Sequence, residues 1–120
     1  MAVDQFAERL AIVRHRFVSG LESKIEDTYH ALPTMAGDTP AATKATAESF
    51  RRIHGIVGVG PTVGFPSSGR SARFAENVLL PAYQAERGLN ADELLSFKKT
   101  LHALQTAVQA ELQIAYSSWR

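Results

Sequence analysis

Cysteine is absent from the 120 residues, which rules out a disulfide framework and any thiolate-ligated metal. An excess of one charge is missing too: 13 Lys and Arg against 12 Asp and Glu leave a formal net charge of +1. A domain with so weak a field has no electrostatic footprint for nucleic acid or for an anionic membrane surface. No apolar run approaches the roughly 20 residues that a bilayer-spanning helix needs. The opening MAVDQFAERL lacks the basic-then-apolar order of a secretory signal, so the expected location is the cytoplasm. Alternating strand patterns, internal repeats and low-complexity tracts are missing as well. What remains, with 45% hydrophobic residues, is one domain, residues 1–120, with apolar mass for a single core.

That mass is laid out at helical spacing. Phe6, Leu10, Val13, Phe17, Leu21, Ile25 and Tyr29 form one stripe of an amphipathic helix. Gly20 is a point where this segment bends or splits, leaving a short extra N-terminal helix. Pro33 followed by Gly37 closes it. Thr39 before Pro40 supplies a capping hydroxyl and a first-turn proline. The second helix they open is expected to run to about Gly60, where Pro61 removes a backbone donor. A third helix is expected from near Pro66, with Pro81 kinking or ending it. Asn90, with Glu93 three residues on, makes a capping box for a last helix. Its stripe is Leu94, Phe97, Leu101, Leu104, Val108, Leu112 and Ala115. Four or five helices with short connections imply an all-α fold, an antiparallel four-helix bundle.

Within this pattern RRIHGIVGVG, residues 51–60, is anomalous, because each helical glycine is disfavoured by about 1 kcal/mol relative to alanine. A phosphate loop is one reading: GFPSSGRS, residues 64–71, departs from G-x-x-x-x-G-K-[ST] only by Arg70 in place of lysine. Such a loop needs a strand before it and a parallel sheet around it. The other segments supply neither, so a nucleotide-binding protein is the remotest alternative. Close helix packing, with His54 an ordinary surface residue, is the second reading. The third follows from projecting the helix at about 100° per residue. Ile53, Ile56, Gly60 and Val63 then gather on the core side, and His54 points away from them. Around it lie Phe50, Arg51, Gly55, Val57, Gly58 and Pro61. An imidazole ringed by apolar side chains, its flank left bare by two glycines, suits the docking of another protein's active site. His15 and His102 sit among charged or polar helix residues, and His30 ends the first segment. The paired Glu-x-x-His motifs of a di-iron bundle are missing, so no metal site is expected.

HGIVGVGPTVGF resembles the phosphoacceptor motif of histidine-containing phosphotransfer (HPt) domains, including the phosphotransfer domain of chemotaxis histidine kinases. The family pattern has a histidine, a glycine four residues later, a glycine ten later and then a small or aromatic residue. His54, Gly58, Gly64 and Phe65 meet it. The family also has a small residue eighteen positions after the histidine and Glu or Gln twenty-two after, places held here by Ala72 and Glu76. The resemblance covers residues 50–80, and the flanking helices agree only in pattern. The sequence departs from the family at Val57, where lysine is usual, and Pro61 is unusual inside such a helix.

The resemblance implies a phosphorelay carrier in two-component signal transduction. His54 would exchange a phosphoryl group with the aspartate of a response-regulator receiver domain, or with a hybrid histidine kinase. Imidazole suits this because its ordinary pKa of about 6.5 leaves a neutral nucleophilic nitrogen near pH 7. Glu76 would hold the other ring nitrogen and orient the imidazole. Its alternative is a surface pair with Arg73. Arg51 or Arg73 would offset phosphoryl charge in place of the missing lysine. Phe50, Gly55, Val57, Gly58 and Pro61 would form the docking face. Magnesium would belong to the receiver partner, so no cofactor is expected on this chain. It would be a monomeric phosphohistidine carrier and not an autonomous enzyme. The alternative function keeps the docking face and drops the chemistry: a receiver-binding bundle that is not itself phosphorylated.

Overall fold

In the computed structural model, which describes residues 2–118, the first apolar stripe winds into one uninterrupted helix, α1 (Ala2–Met35). Gly20 does not split it, and no separate N-terminal helix forms. One glycine costs only about 1 kcal/mol of propensity, and the burial of Phe17, Leu21 and Ile25 on either side holds the helix through it. The segment closes between Pro33 and Gly37, as the sequence predicts: α1 ends at Met35, and Gly37 follows with φ +96°. Burial of Leu32 and Met35 keeps the last turn wound past the hydrogen bond that the proline ring removes.

The second helix, α2 (Pro40–Val59), begins where Thr39 Oγ1 accepts a hydrogen bond from the Ala42 amide at 3.0 Å. It ends one residue short of Gly60, which leads into a 3-10 turn, Pro61–Val63. Gly64 then turns the chain back with φ +93°, a left-handed conformation open to glycine and costly for most other residues. α3 (Pro66–Gln84) runs past Pro81 instead of ending there, because Leu79 and Ala82 are fully buried around it. α4 (Ala91–Ser118) opens on the capping box. The Glu93 amide donates to Asn90 Oδ1 at 2.8 Å, and the Asn90 amide donates to Glu93 Oε1 at 3.0 Å.

The helices close into an all-α four-helix bundle, with α3 central between α2 and α4 and α1 leaning mainly on α2. Leu21, Ile53, Ile56, Phe65, Leu79 and Phe97 lie in its core. At one end the two loops are stapled. The Gly37 amide donates to Leu89 O at 3.0 Å, and the Leu89 amide donates to Met35 O at 2.8 Å. This is an isolated pairing, and no strand forms among the described residues. At the other end α3 has no side-chain cap of its own. Glu111 of α4 serves instead, accepting from the amides of Ser67 at 3.2 Å and Ser68 at 2.5 Å. A carboxylate there satisfies orphan donors and meets the positive end of the helix dipole.

At about 1.5 Å per residue the 34 residues of α1 nearly match the 53 Å long axis of the molecule. α2 and α3 have 20 and 19 residues and stop short of it. The first members of the α1 stripe therefore overshoot the bundle. Phe6 is 68% exposed and Val13 is exposed as well, so the fully buried part of the stripe begins only at Phe17. Among the described residues, no helix is long and apolar enough to cross a membrane.

Candidate functional site

The register of α2 decides where its histidine points. Ile53 and Ile56 are buried, so His54 is turned outward and its side chain is 67% exposed. On α3, Ala72, Ala75 and Leu79 are fully buried and set Glu76 at the edge of the α2–α3 seam, 12% exposed. The two meet. His54 Nδ1 lies 2.8 Å from Glu76 Oε2, within charge-assisted hydrogen-bond range. An ionised carboxylate can only accept, so in the neutral imidazole Nδ1 carries the proton and Nε2 keeps the free lone pair. Glu76 thus fixes both ring rotation and tautomer. Its surface-pair alternative with Arg73 does not form.

Phe50 lies one turn before His54 on α2, and its position corrects the sequence reading. It is 9% exposed and is no part of an open docking face. On its side of α2 the neighbouring helix covers it: the Tyr83 ring of α3 stacks on Phe50 with centroids 4.0 Å apart. Phe50 in turn lies parallel to the His54 ring at 5.8 Å. It is a floor for the imidazole. Val57 is half-buried against the core, so it offers less open surface than the projection implies. With Pro61, Arg73 and the exposed Phe74 it lines a shallow groove of about 250 Å³ beside His54.

The glycines of the anomalous stretch divide by role. A Cβ on Gly58 would meet nothing within 4 Å, so this exposed residue is clearance beside the imidazole. At Gly60 a Cβ would stand 2.7 Å from Ile56 O and 3.2 Å from Phe65 O, so Gly60 is close packing of the turn. Pro61 packs the same turn against α3, its ring leaving room only for glycine at position 69. Gly55 belongs to neither class. A Cβ there would sit 3.7 Å from Lys24 Nζ of α1.

Arg51 of α2 and Arg73 of α3 are both exposed, and neither has an ion pair among the described residues. Lys24, half-buried on α1, was not legible as a neighbour of Gly55. Nor were Tyr83 and Glu111 legible as contacts, since no local spacing encodes which turn of one helix faces which turn of another. His15, His30 and His102 are exposed, and among the described residues none pairs with a carboxylate. No group of three or more His, Asp or Glu among those residues is placed to hold a metal ion.

The phosphate-loop stretch has a different local structure from the one its motif needs. IVGV completes α2 and SSGRS lies within α3, so no strand precedes it. The Ser67 and Ser68 amides, which a phosphate would require, are taken by Glu111. Compared with protein-family models, with curated proteins and with solved structures, the chain finds no match.

Proposed function

We propose that this chain is a cytoplasmic phosphorelay carrier, accepting and donating a phosphoryl group on His54. Its partner is the receiver domain of a response regulator or of a hybrid histidine kinase. One observation supports this above the rest. An imidazole 67% open to solvent is nonetheless locked through Nδ1 to Glu76 at 2.8 Å, which leaves Nε2 free and aimed outward. A surface histidine with no task gains little from such a lock.

The chemistry follows from that geometry. The Nε2 lone pair attacks the phosphorus of an aspartyl phosphate. The P–O bond to the aspartate breaks, and the carboxylate leaves with the electron pair. The ring gains positive charge, its proton stays on Nδ1, and the Glu76 carboxylate stabilises the charged ring. Donation reverses the same bonds. The magnesium that neutralises phosphoryl oxygens belongs on the receiver in this scheme. Clearance at Gly58 admits the receiver's rim, and the groove of Val57, Pro61 and Phe74 gives it apolar contact.

The test is incubation with a panel of phosphorylated receivers, followed by measurement of acid-labile label on this chain. His54→Gln is expected to abolish labelling, while His15→Gln, His30→Gln and His102→Gln retain it. Label persisting on the His54 variant refutes the proposal. Receiver binding without any label on the parent chain would leave a docking bundle that is not phosphorylated.

A further inference from the structure

A phosphoryl group on Nε2 carries about two negative charges, and α2 offers little to meet them from below. Position 57, on the flank of His54, is a half-buried valine. α1 brings a cation from outside the helix. Lys24 sits between the buried Leu21 and Ile25, so its backbone is packed in the α1–α2 seam. Its ammonium reaches over α2 to stand 3.7 Å from the Cβ position of Gly55, the residue that follows His54. With glycine at 55, no side chain of that residue stands beside the ammonium. Among the described residues Lys24 Nζ has no hydrogen bond or ion pair.

We infer that Lys24 is the phosphoryl-binding cation of this site, supplied by a neighbouring helix. The inference rests on the phosphotransfer reading of His54. Lysine carries a compact charge and three donors on a stem with rotatable bonds. Successive α-carbons are only about 3.8 Å apart, so a rotation of that stem takes the ammonium from Gly55 towards a group on His54. Arg51 and Arg73 are exposed, where solvent and salt screen their charge most. Lys24 is half-buried, without a counter-ion, and its stem is guided by the seam.

The test uses the full chain and phosphoramidate, a donor too small to need a docking face. The His54 Nε2 lone pair forms the new N–P bond, the bond to the donor's protonated nitrogen breaks, and that nitrogen leaves as ammonia with the electron pair, so the positive charge passes to the ring. Phosphorus-31 NMR reads the phosphohistidine fraction at steady state. Lys24→Met keeps the apolar stem and removes the charge, and is expected to lower that fraction about threefold to fivefold. Lys24→Arg is expected to stay within about twofold of the parent. The parent fraction should fall as salt rises from about 0.05 to 0.5 M, and that of Lys24→Met should fall clearly less. Melting of the unphosphorylated Met variant should match the parent, which separates lost charge from lost fold. A Met variant that labels like the parent overturns the inference and leaves phosphotransfer standing. A parent that takes no phosphate from phosphoramidate or from any receiver overturns both.

Discussion

Replacing Gly58 with glutamine alters one exposed face of α2 and leaves its packed face alone. A Cβ at this position meets nothing within 4 Å, so stability changes only through helix propensity. Exchanging glycine for glutamine in a helix interior gains roughly 0.5–1 kcal/mol. For a chain of this size that raises the melting temperature by about 2–4 °C. The same side chain stands one turn beyond His54 on its flank, where it covers the approach to Nε2. Phosphate uptake from a receiver should therefore slow at least about tenfold, equivalent to roughly 1.4 kcal/mol of lost access. Gly60→Ala is the opposite case. Its Cβ would press to 2.7 Å from Ile56 O and 3.2 Å from Phe65 O, an overpacking that costs about 1–3 kcal/mol. It should melt earlier while each folded molecule transfers phosphate normally. Thermal melts followed by circular dichroism and a timed label-transfer assay read both effects. A Gly58→Gln chain that melts below the parent, or that transfers within twofold of it, refutes the clearance argument.

Glu76→Ala removes the acceptor of the Nδ1 proton and should slow phosphorylation of His54 about ten- to a hundredfold, the worth of a hydrogen bond to a charged group at roughly 1.5–3 kcal/mol. A rate within twofold of the parent would reduce Glu76 to a bystander. Glu111→Ala strips the cap from α3 and should cost about 1–2 kcal/mol, read as a lower urea midpoint; an unchanged midpoint would mean that water serves the Ser67 and Ser68 amides as well. Glu93 is held below the ordinary carboxylate range, chiefly by its hydrogen bonds to Arg87; burial opposes this in part, and the Asn90 amide adds a smaller lowering effect. A depressed folded-state pKa contributes stability above the ordinary range, and that contribution disappears as pH falls through the depressed value. Urea melts at pH 7 and about pH 3 should thus show a smaller acid loss for Glu93→Gln than for the parent. Equal losses would refute the assignment.

What was legible in the sequence is what short spacings encode. The Thr39 cap and the Asn90–Glu93 box are sealed within four residues, and both form as read. His54 and Glu76 are 22 residues apart, yet a tight turn joins two helices of fixed period, so their meeting is almost a local fact. The same periodicity misplaced Phe50. It fixed the side of α2 on which the ring lies, but not that Tyr83 would come to cover it. Pro81 does not end α3 for a related reason. A breaker rule weighs one lost hydrogen bond, whereas burial of Leu79 and Ala82 outweighs it. Glu111 at the head of α3 and Lys24 over Gly55 depend on how helices slide past one another, which no window of sequence states.

On the proposed function the chain must also release what it binds, and the construction of the rim bears on that. A phosphoryl group matched by buried, fully desolvated cations would be held by several kcal/mol and would not move on. The cations near His54 stand differently: Arg51 and Arg73 are exposed and Lys24 only half-buried. Exposed charge pairs contribute about 0.2–1 kcal/mol each, enough to raise occupancy and too little to trap the group. Orientation comes instead from parts that do not contact the phosphate: the Glu76 carboxylate below and the Phe50–Tyr83 stack behind. On the proposed function this separates two demands. The imidazole is held rigid before a partner arrives, and the charge around it stays weak enough for transfer to run either way. Raising salt should therefore lower occupancy of His54 without loosening its contact with Glu76. Ring-nitrogen NMR shifts that move with salt in the unphosphorylated chain would show that the two are not independent.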